Sequence, residues 1–288
     1  MKIQSLSIVV PNSRCINNCK FCVSKMHTND YENKMTINNP NLDRAISDYI
    51  NKLNFARDNG CDTIMLTGSS EPQQNKQFLM VFGLINKMLE KPFSKIEMQT
   101  TGTLLDDNYL TFLRNHVGVT TVSISLSSFD DDVNAEIISM INKTNLENLC
   151  KKIKEHDFIL RLSINLNDSF NDFTPKTLIE KCKNLGADQV TIRVLYTSEN
   201  KDTSQDKWIL QHGIRAGFLQ ETNKFIKENG KPLEILEYGQ IRYNLMDMSF
   251  VLDDDSMSTI AKKELKYLIL REDCRLYTKW DSKGSLLF

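Results

Sequence analysis

The chain alternates between short runs of apolar, mostly β-branched residues and longer segments whose apolar residues recur at helical spacing. The short runs predict six strands, at residues 6–10, 63–66, 96–99, 121–126, 159–165 and 189–195. The longer segments between them predict helices at residues 42–59, 77–89, 145–156 and 176–185. Strands that alternate with helices in this way are typical of parallel βα units joined by right-handed crossovers.

Six such units over residues 1–196 predict an α/β fold that amounts to three quarters of a TIM-type barrel, a partial (β/α)6 barrel. In barrels of this kind the chemistry lies at the carboxyl ends of the strands. Reactive side chains are therefore expected at those six strand ends.

The pattern changes after the sixth unit. A polar, loop-like stretch over residues 197–207 is followed by a predicted helix over residues 211–229, which Gly230 ends. A strand at 233–238 and a hairpin over 267–280 are expected beyond it. We expect residues 197–288 to form an α+β cap on the mouth of the barrel rather than an independent domain.

Composition narrows the functional classes. The 288 residues include 36 basic and 37 acidic side chains without a basic stripe, which disfavours a nucleic-acid partner and favours a small molecule or a short peptide. No segment has the ~20 apolar residues needed to cross a bilayer, and the N-terminus lacks the apolar run of a signal peptide. Seven cysteines are an odd number, and three of them fall within eight residues. This predicts a metal site in a reducing compartment, the cytoplasm, rather than a disulfide framework.

The three clustered cysteines follow the first predicted strand directly. Cys15, Cys19 and Cys22 form the pattern C-x3-C-x-F-C, with Phe21 placed to shield one side of the site. Thiolates are the ligands of iron–sulfur clusters, which ordinarily take four cysteines. Three cysteines leave one iron open to chelate the amine and carboxylate of a small molecule. The alternatives are a zinc site, for which a second distant ligand pair is missing, and three incidental cysteines.

This loop resembles that of the radical SAM superfamily, and its flank over residues 6–15 is similar to the subgroup typified by the molybdopterin-precursor cyclase. The resemblance covers about residues 1–196. It implies a [4Fe-4S] cluster on Cys15, Cys19 and Cys22, with S-adenosyl-L-methionine (SAM) as second cofactor. It also implies an external one-electron donor of the flavodoxin or ferredoxin type. Reductive cleavage of SAM then gives a 5′-deoxyadenosyl radical that takes hydrogen from the substrate.

The stretch after the second strand, L-T-G-S-S-E-P over residues 66–72, resembles the family's T-G-G-E-P motif with one additional residue. The resemblance implies that Gly68, Ser69, Ser70 and Glu71 hold the amino group of SAM. An ordinary Gly/Ser/Pro turn is the alternative. After the third strand, the stretch 98–105 resembles a motif of the cyclase subgroup and implies that the Thr100 hydroxyl faces SAM.

Strands four to six carry further polar candidates. By resemblance, Ser125 and Ser127 meet the ribose or carboxylate of SAM; hydroxyls on a strand are otherwise common. Arg161 and Asn165 share one face of strand five, where an inward arginine suits a carboxylate and a solvated surface arginine is the alternative. Strand six resembles the strand whose backbone contacts adenine.

In strand six the resemblance assigns Leu195 to that contact with adenine. Arg193 is either a SAM or substrate ligand or a solvated group. Beyond Arg193, the substrate candidates all lie in or near the C-terminal third: Tyr196, Glu234, Glu237, Tyr238, Arg242 and Trp280. Packing or surface roles are the alternative for each of them. No catalytic residue beyond these stands out.

Three functions remain open. The first is a small-molecule lyase or rearrangement catalyst, for which the overall plan resembles the queuine lyases. The second is a peptide-modifying enzyme, although the four cysteines outside the cysteine loop form no C-x2-C pair for auxiliary clusters. The third is an iron–sulfur protein without SAM chemistry, which the altered motif around Ser70 would favour. The remaining cysteines, Cys61, Cys150, Cys182 and Cys274, are interpreted as buried apolar residues. His27 is the one histidine near the cluster loop.

Overall fold

The computed structural model describes residues 3–26, 42–236, 241–252, 267–280 and 285–288. The strands are β1 Ser5–Val9, β2 Thr63–Thr67, β3 Lys95–Thr100, β4 Thr121–Leu126, β5 Ile159–Leu166, β6 Gln189–Val194, β7 Lys231–Ile235, β8 Ile241–Leu245, β9 Met248–Val251, β10 Tyr267–Leu270 and β11 Leu276–Tyr277. The helices are α1 Val23–Met26, α2 Leu42–Asp58, α3 Lys76–Met88, α4 Asp107–Phe112, α5 Asp131–Ile138, α6 Leu146–Glu155, α7 Pro175–Asn184, α8 Ser204–Gln211 and α9 Phe218–Asn229.

The six strands and four helices predicted within residues 1–196 are confirmed within one residue at each end, and α1, α4 and α5 are additional. The strand expected at 233–238 begins two residues earlier, as β7, and its last two expected residues lie outside the described residues. Polar side chains fix where six of the described helices begin, because each accepts a hydrogen bond from a backbone N–H of the first turn. These caps are Asn75, Asp106, Asp130, Asn145, Thr174 and Thr203. None of the helices in the described residues is long and apolar enough to span a bilayer.

One sheet contains all the strands described, in the order β11-β10-β1-β2-β3-β4-β5-β6-β9-β8-β7. Strands β1 to β6 are parallel and lie in chain order, as a βα succession requires. The carboxyl ends of these six strands therefore meet along one edge of the sheet, where the candidate residues were expected.

The strands of the C-terminal third extend this sheet at both edges. Strand β9 pairs parallel to β6, and β10 pairs parallel to β1. The expected hairpin is confirmed, since β10 and β11 are antiparallel. Leu245, Phe250 and Leu270 of these added strands belong to the same apolar core as the first six.

The helix expected over residues 211–229 is two helices. The first, α8, ends at Gln211, and the second, α9, begins at Phe218. Gly217 separates them with φ of 83°, a left-handed backbone conformation that glycine adopts without strain. The expectation of a loop up to residue 207 was wrong for the same region, because Thr203 and Asp206 form a capping box that starts α8.

The two faces of the sheet differ in chemistry. On β5 the residues Leu160, Leu162, Ile164 and Leu166 are buried in the apolar core, whereas the alternate residues Arg161, Ser163 and Asn165 are polar and half-buried. The alternate face of β6 carries Gln189, Thr191 and Arg193 in the same way. The inner face of the partial barrel is thus a polar surface, suited to a polar cofactor and substrate.

An ion pair crosses the amino-terminal half of this inner face. Arg161 on β5 pairs with Glu97 on β3, over the intervening strand β4, and also donates to Gln189 on β6. The Glu97 side chain is 5% exposed and that of Arg161 is 29% exposed. Arg161 therefore joins three strands at the floor of the barrel.

Replacing Arg161 with Met is expected to lower the free energy of unfolding by about 3 kcal/mol, the lower end of the range for breaking a buried pair, because it leaves the Glu97 carboxylate buried and unpaired. Urea unfolding of the cofactor-free protein measures the change. Because both charges are removed together, the double variant Glu97→Gln/Arg161→Met should lose less than the sum of the two single variants. A wild-type unfolding curve for Arg161→Met would contradict this role.

Candidate functional site

The cysteine loop directly follows β1 and brings three free, half-buried thiols together. Burial raises the pKa of the Cys15 thiol. Burial also raises the pKa of Cys19, and the neighbouring thiolates of Cys22 and Cys15 raise it further. Thiolates placed so close to one another are unfavourable on their own and become favourable when each binds a cation. The loop therefore has the electrostatic character of a metal site.

The described residues contain no group of three His, Cys, Asp or Glu side chains arranged around a single metal ion. Three thiolates that each bind a different iron of one cluster are spaced more widely than ligands of a single ion. The donor set of Cys15, Cys19 and Cys22 suits an iron–sulfur cluster.

Three neighbouring elements hold the cysteine loop in place. The Ile16 amide donates to Gln74 Oε1 after β2 (2.8 Å), and the Asn18 amide donates to the Ile138 carbonyl at the end of α5 (3.1 Å). Asn17, which is only 4% exposed, donates from Nδ2 to the Thr101 hydroxyl after β3 (2.8 Å). Its backbone N–H also points at Cys15 Sγ (3.4 Å). The loop conformation is thus set by the protein itself.

Glu71 is the most unusual group beside this loop. It is buried, and its Oε2 accepts hydrogen bonds from the Thr101 amide (3.0 Å) and the Thr101 hydroxyl (2.8 Å). Its Oε1 is equally buried and accepts none. Burial raises the pKa of Glu71, while the Thr100 hydroxyl and the amides of Thr101 and Gln73 act in the opposite direction. A buried carboxylate oxygen without a donor fits a cationic ligand group such as an ammonium.

The residues before Glu71 place it against the cysteine loop. Ser70 Oγ accepts a hydrogen bond from Asn12 Nδ2 (2.8 Å), and Ser69 Oγ is buried without a hydrogen bond. A Cβ atom on Gly68 would lie 3.1 Å from the Val10 carbonyl oxygen, so glycine permits the close approach of the two chains here. Ser69 Oγ and Glu71 Oε1 are thus two buried polar atoms without a hydrogen-bond partner in one short segment.

The hydroxyls of Thr100, Ser125 and Ser127 differ in their burial and in their hydrogen bonds. Thr100 is buried and its hydroxyl accepts the Gly102 amide (2.9 Å). Ser125 is half-buried on the inner face and accepts from Asn165 Nδ2 (2.9 Å). Ser127 lies beyond the end of β4 and is fully buried, with its hydroxyl unpartnered. Ser127 is therefore buried more deeply than Ser125.

Of the two arginines on the inner face, only Arg193 lies near the carboxyl ends. It is the exposed register partner of Asn165, and no hydrogen bond or ion pair links it to another described residue. Arg161, expected as a carboxylate clamp, is engaged with Glu97 in the amino-terminal half. Leu195 is the first residue after β6 and Tyr196 the next, both half-buried.

The other substrate candidates are dispersed. Glu234 and Arg242 face each other on the outer strands β7 and β8 as an ion pair of 3.2 Å. Trp280 packs against Val9, the last residue of β1, together with Ile269 and Tyr277. Glu237, Tyr238 and His27 lie outside the described residues.

Three residues around the site were missed by sequence reasoning: Asn17, Thr101 and Trp208. Thr101 links the loop to Glu71, because its hydroxyl accepts from Asn17 and donates to the Glu71 carboxylate. Trp208 on α8 lies beside Phe21, with ring centroids 6.1 Å apart. The one available signal was the position of Thr101 next to the recognised Thr100.

Asp206 anchors α8 to the segment that follows β6. The carboxylate is covered and accepts hydrogen bonds from the Ser198 amide and hydroxyl (both 2.7 Å) and from the Thr203 hydroxyl (2.5 Å). Burial alone would raise its pKa, but these donors outweigh it and hold the pKa of Asp206 below its ordinary value.

The Asp206→Asn variant is expected to lower the free energy of unfolding by about 1–2 kcal/mol at pH 7, since hydrogen bonds to a charged acceptor are lost. The pKa of Asp206 is lower in the folded chain than in the unfolded chain. Its stabilisation is therefore complete above the unfolded pKa of about 3.9 and disappears as the pH falls through the folded value. Urea unfolding from pH 7 to pH 3 should show the two proteins converge at low pH. A pH-independent difference would contradict the assignment.

Comparison with known proteins agrees with this geometry. A family model described as the Radical SAM superfamily matches residues 9–166. A search of curated proteins finds no match. Among solved structures, coproporphyrinogen III oxidase (HemN) from Escherichia coli, a radical SAM enzyme, is 14% identical, with a TM-score of 0.53 over 98% of this chain. The chain spans 62% of the length of that enzyme.

A second similar structure is native anSMEcpe with bound AdoMet and Cp18Cys peptide, which is 13% identical. Its TM-score is 0.60, over 97% of this chain and 74% of that one. The same protein with bound AdoMet alone gives a TM-score of 0.59 at 14% identity, over 99% of this chain and 77% of that one. At these identities the likeness concerns the fold, and it confirms the partial TIM-type barrel expected from the βα pattern.

Proposed function

The chain belongs to the radical SAM superfamily, whose members use a [4Fe-4S] cluster and SAM, and we propose that it acts on a small-molecule substrate by reductive cleavage of SAM. The observation that carries this proposal is the buried, unpartnered Oε1 of Glu71 beside three convergent thiols. One feature suits the cluster and the other suits the ammonium of SAM. The Thr101 hydroxyl joins the two features, because it accepts a hydrogen bond from Asn17 of the cysteine loop and donates one to the Glu71 carboxylate.

In this proposal different residues bind the cluster and SAM. Cys15, Cys19 and Cys22 hold the cluster, and Glu71 with the backbone around Gly68 holds the amino group of SAM. When bound and reduced by a flavodoxin- or ferredoxin-type donor, the cluster supplies the electron that splits SAM into methionine and a 5′-deoxyadenosyl radical. The chain itself orients both groups and excludes water.

The rest of SAM lies along the inner face in this proposal. The Ser125–Asn165 pair, 2.9 Å apart, offers a hydroxyl and an amide to the ribose or carboxylate. The exposed guanidinium of Arg193, which follows on β6, offers two parallel donors to a carboxylate of SAM or of the substrate. Leu195 and Tyr196 continue this edge toward the substrate.

Within the family we propose a lyase or rearrangement reaction, and in its narrowest form a queuine lyase of the cyclase-like subgroup. The cysteines outside the cysteine loop form no C-x2-C pair for auxiliary clusters, which supports a small substrate over a peptide. The seven free thiols support a reducing compartment, the cytoplasm.

Anaerobic reconstitution followed by SAM and dithionite tests the proposal, with 5′-deoxyadenosine measured by chromatography. Wild type should form it, and the triple variant Cys15→Ala/Cys19→Ala/Cys22→Ala should not. Queuine, other small heterocycles and short peptides are then added in turn, and the true substrate class raises the rate. Stimulation by peptides alone would replace the small-molecule proposal with a peptide-modifying one. An intact, reducible cluster that never cleaves SAM with any substrate would identify an iron–sulfur protein without this chemistry.

A further inference from the structure

An aromatic residue from outside the six βα units lies against the cysteine loop. Trp208 is on α8, more than 180 residues along the chain from the loop, and its ring centroid is 6.1 Å from that of Phe21. The two rings are tilted by 36°. Phe21 stands between Cys19 and Cys22, so Trp208 packs on the short segment that carries two of the three thiols.

The other contacts of the loop come from different directions. Gln74 and Thr101 approach from the ends of β2 and β3, and Ile138 approaches from α5. All three bind the loop through hydrogen bonds to its polar atoms. Trp208 and Phe21 contribute an apolar contact, which is the kind that excludes water.

The position of the Trp208 ring is fixed by its neighbours. His212 stacks on it with centroids 4.8 Å apart and an interplanar angle of 22°. His212 Nδ1 lies 2.8 Å from Asp168 Oδ2, and the Asp168 amide donates to the His212 carbonyl (2.9 Å). At the other end of α8, Asp206 holds the first turn. The helix that carries the indole is therefore tied to the barrel at both ends.

We propose that Trp208 is a positioning residue for the cluster, which acts by holding Phe21 and by keeping water and oxygen from the outer side of the thiolate loop. This inference rests on the proposed function only so far as Cys15, Cys19 and Cys22 bind a cluster. The apolar shell around a metal site controls solvent access and local polarity, and with them the reduction potential. Reduction adds negative charge to the cluster, and water favours the more highly charged form.

Removal of the indole should therefore shift the midpoint potential to more positive values and shorten the lifetime of the cluster in air. The test compares Trp208→Ala and Trp208→Phe with wild type after anaerobic reconstitution and without SAM. The readouts are iron content, the midpoint potential from a redox titration followed by EPR, and the half-life of the cluster absorbance in air. Leu210→Ala is the matched control, because Leu210 lies on the same helix with its side chain 60% exposed.

Trp208→Ala should show a several-fold shorter half-life in air and a more positive potential. Trp208→Phe, which keeps an apolar ring, should restore most of both, and Leu210→Ala should match wild type. Circular dichroism and urea unfolding show whether Trp208→Ala folds. If it does not, His212→Ala replaces it in the test. Loss of the imidazole that stacks on Trp208 should shorten the half-life of the cluster more than Trp208→Phe does.

Unchanged potential and half-life in folded Trp208→Ala, or in His212→Ala where that variant replaces it, would overturn the inference. It would leave the proposed function intact if wild type cleaves SAM. Wild type that takes up no cluster would overturn both. If the cluster depends on Trp208 but the protein never cleaves SAM, the role of Trp208 is upheld and the proposed function is refuted.

Discussion

Cys19→Ala protein should fold normally, lose its characteristic cluster absorbance and form 5′-deoxyadenosine only at background level. In the proposed site each of the three cysteines binds a separate iron, so no other thiol of the loop can replace the missing ligand. Burial and two neighbouring thiolates raise the pKa of Cys19, and a bound metal favours its ionised form. The measurement combines iron and sulfide analysis with the anaerobic SAM cleavage assay.

Cys150→Ala is the matched control for this prediction. Cys150 is a buried thiol of the apolar core on α6, remote in sequence from the cysteine loop. Its removal costs core packing, and the cluster and SAM cleavage should remain. If Cys19→Ala kept a normal cluster and wild-type turnover, the assignment of the ligands would be wrong.

The sequence predicts the barrel well because its signals are local. The alternation on β5, with apolar Leu160 and Leu162 on one side and Ser163 and Asn165 on the other, specifies a strand with one buried face wherever it is placed. The same applies to the capped helices between the strands. Strand order then follows from the crossover rule rather than from any single residue.

The C-terminal third is predicted less well because its placement depends on long-range pairing. Nothing in the local pattern indicates that β9 joins β6 while β10 joins β1 at the opposite edge of the sheet. Sequence reasoning missed Trp208 for the same reason, because its contact with Phe21 exists only where α8 returns to the cysteine loop.

Arg161 shows why a shared face is weaker evidence than position along the strand. Arg161 and Asn165 have the same side-chain direction, but four residues of extended chain separate them by about 13 Å. Asn165 consequently reaches the carboxyl end beside Ser125, and Arg161 reaches Glu97 at the opposite end. The chemistry of an inward arginine was recognised, and its partner was not.

Glu71→Gln should weaken SAM binding by about 10- to 150-fold. A hydrogen bond to a charged group contributes about 1.5–3 kcal/mol, and each 1.4 kcal/mol changes affinity tenfold. An amide can still accept the two hydrogen bonds from Thr101 through its oxygen, so the local structure is kept. What it loses is the negative charge and the free acceptor at Oε1. Equilibrium dialysis of SAM against the reconstituted protein measures the change, with Glu147→Gln on the exposed side of α6 as control.

When SAM is absent, Glu71→Gln should not be less stable than wild type. Burial raises the pKa of Glu71 in the folded chain, so the charged form opposes folding, and this effect grows as the pH rises from the unfolded pKa through the folded one. At pH 7 and without SAM, Glu71→Gln should therefore unfold at the same temperature as wild type or at a higher one. Added SAM should raise the unfolding temperature of wild type far more than that of the variant. A binding residue that lowers the stability of its own empty site is expected where a ligand supplies the missing partner. Equal SAM affinity in the two proteins would show that Oε1 faces some other group.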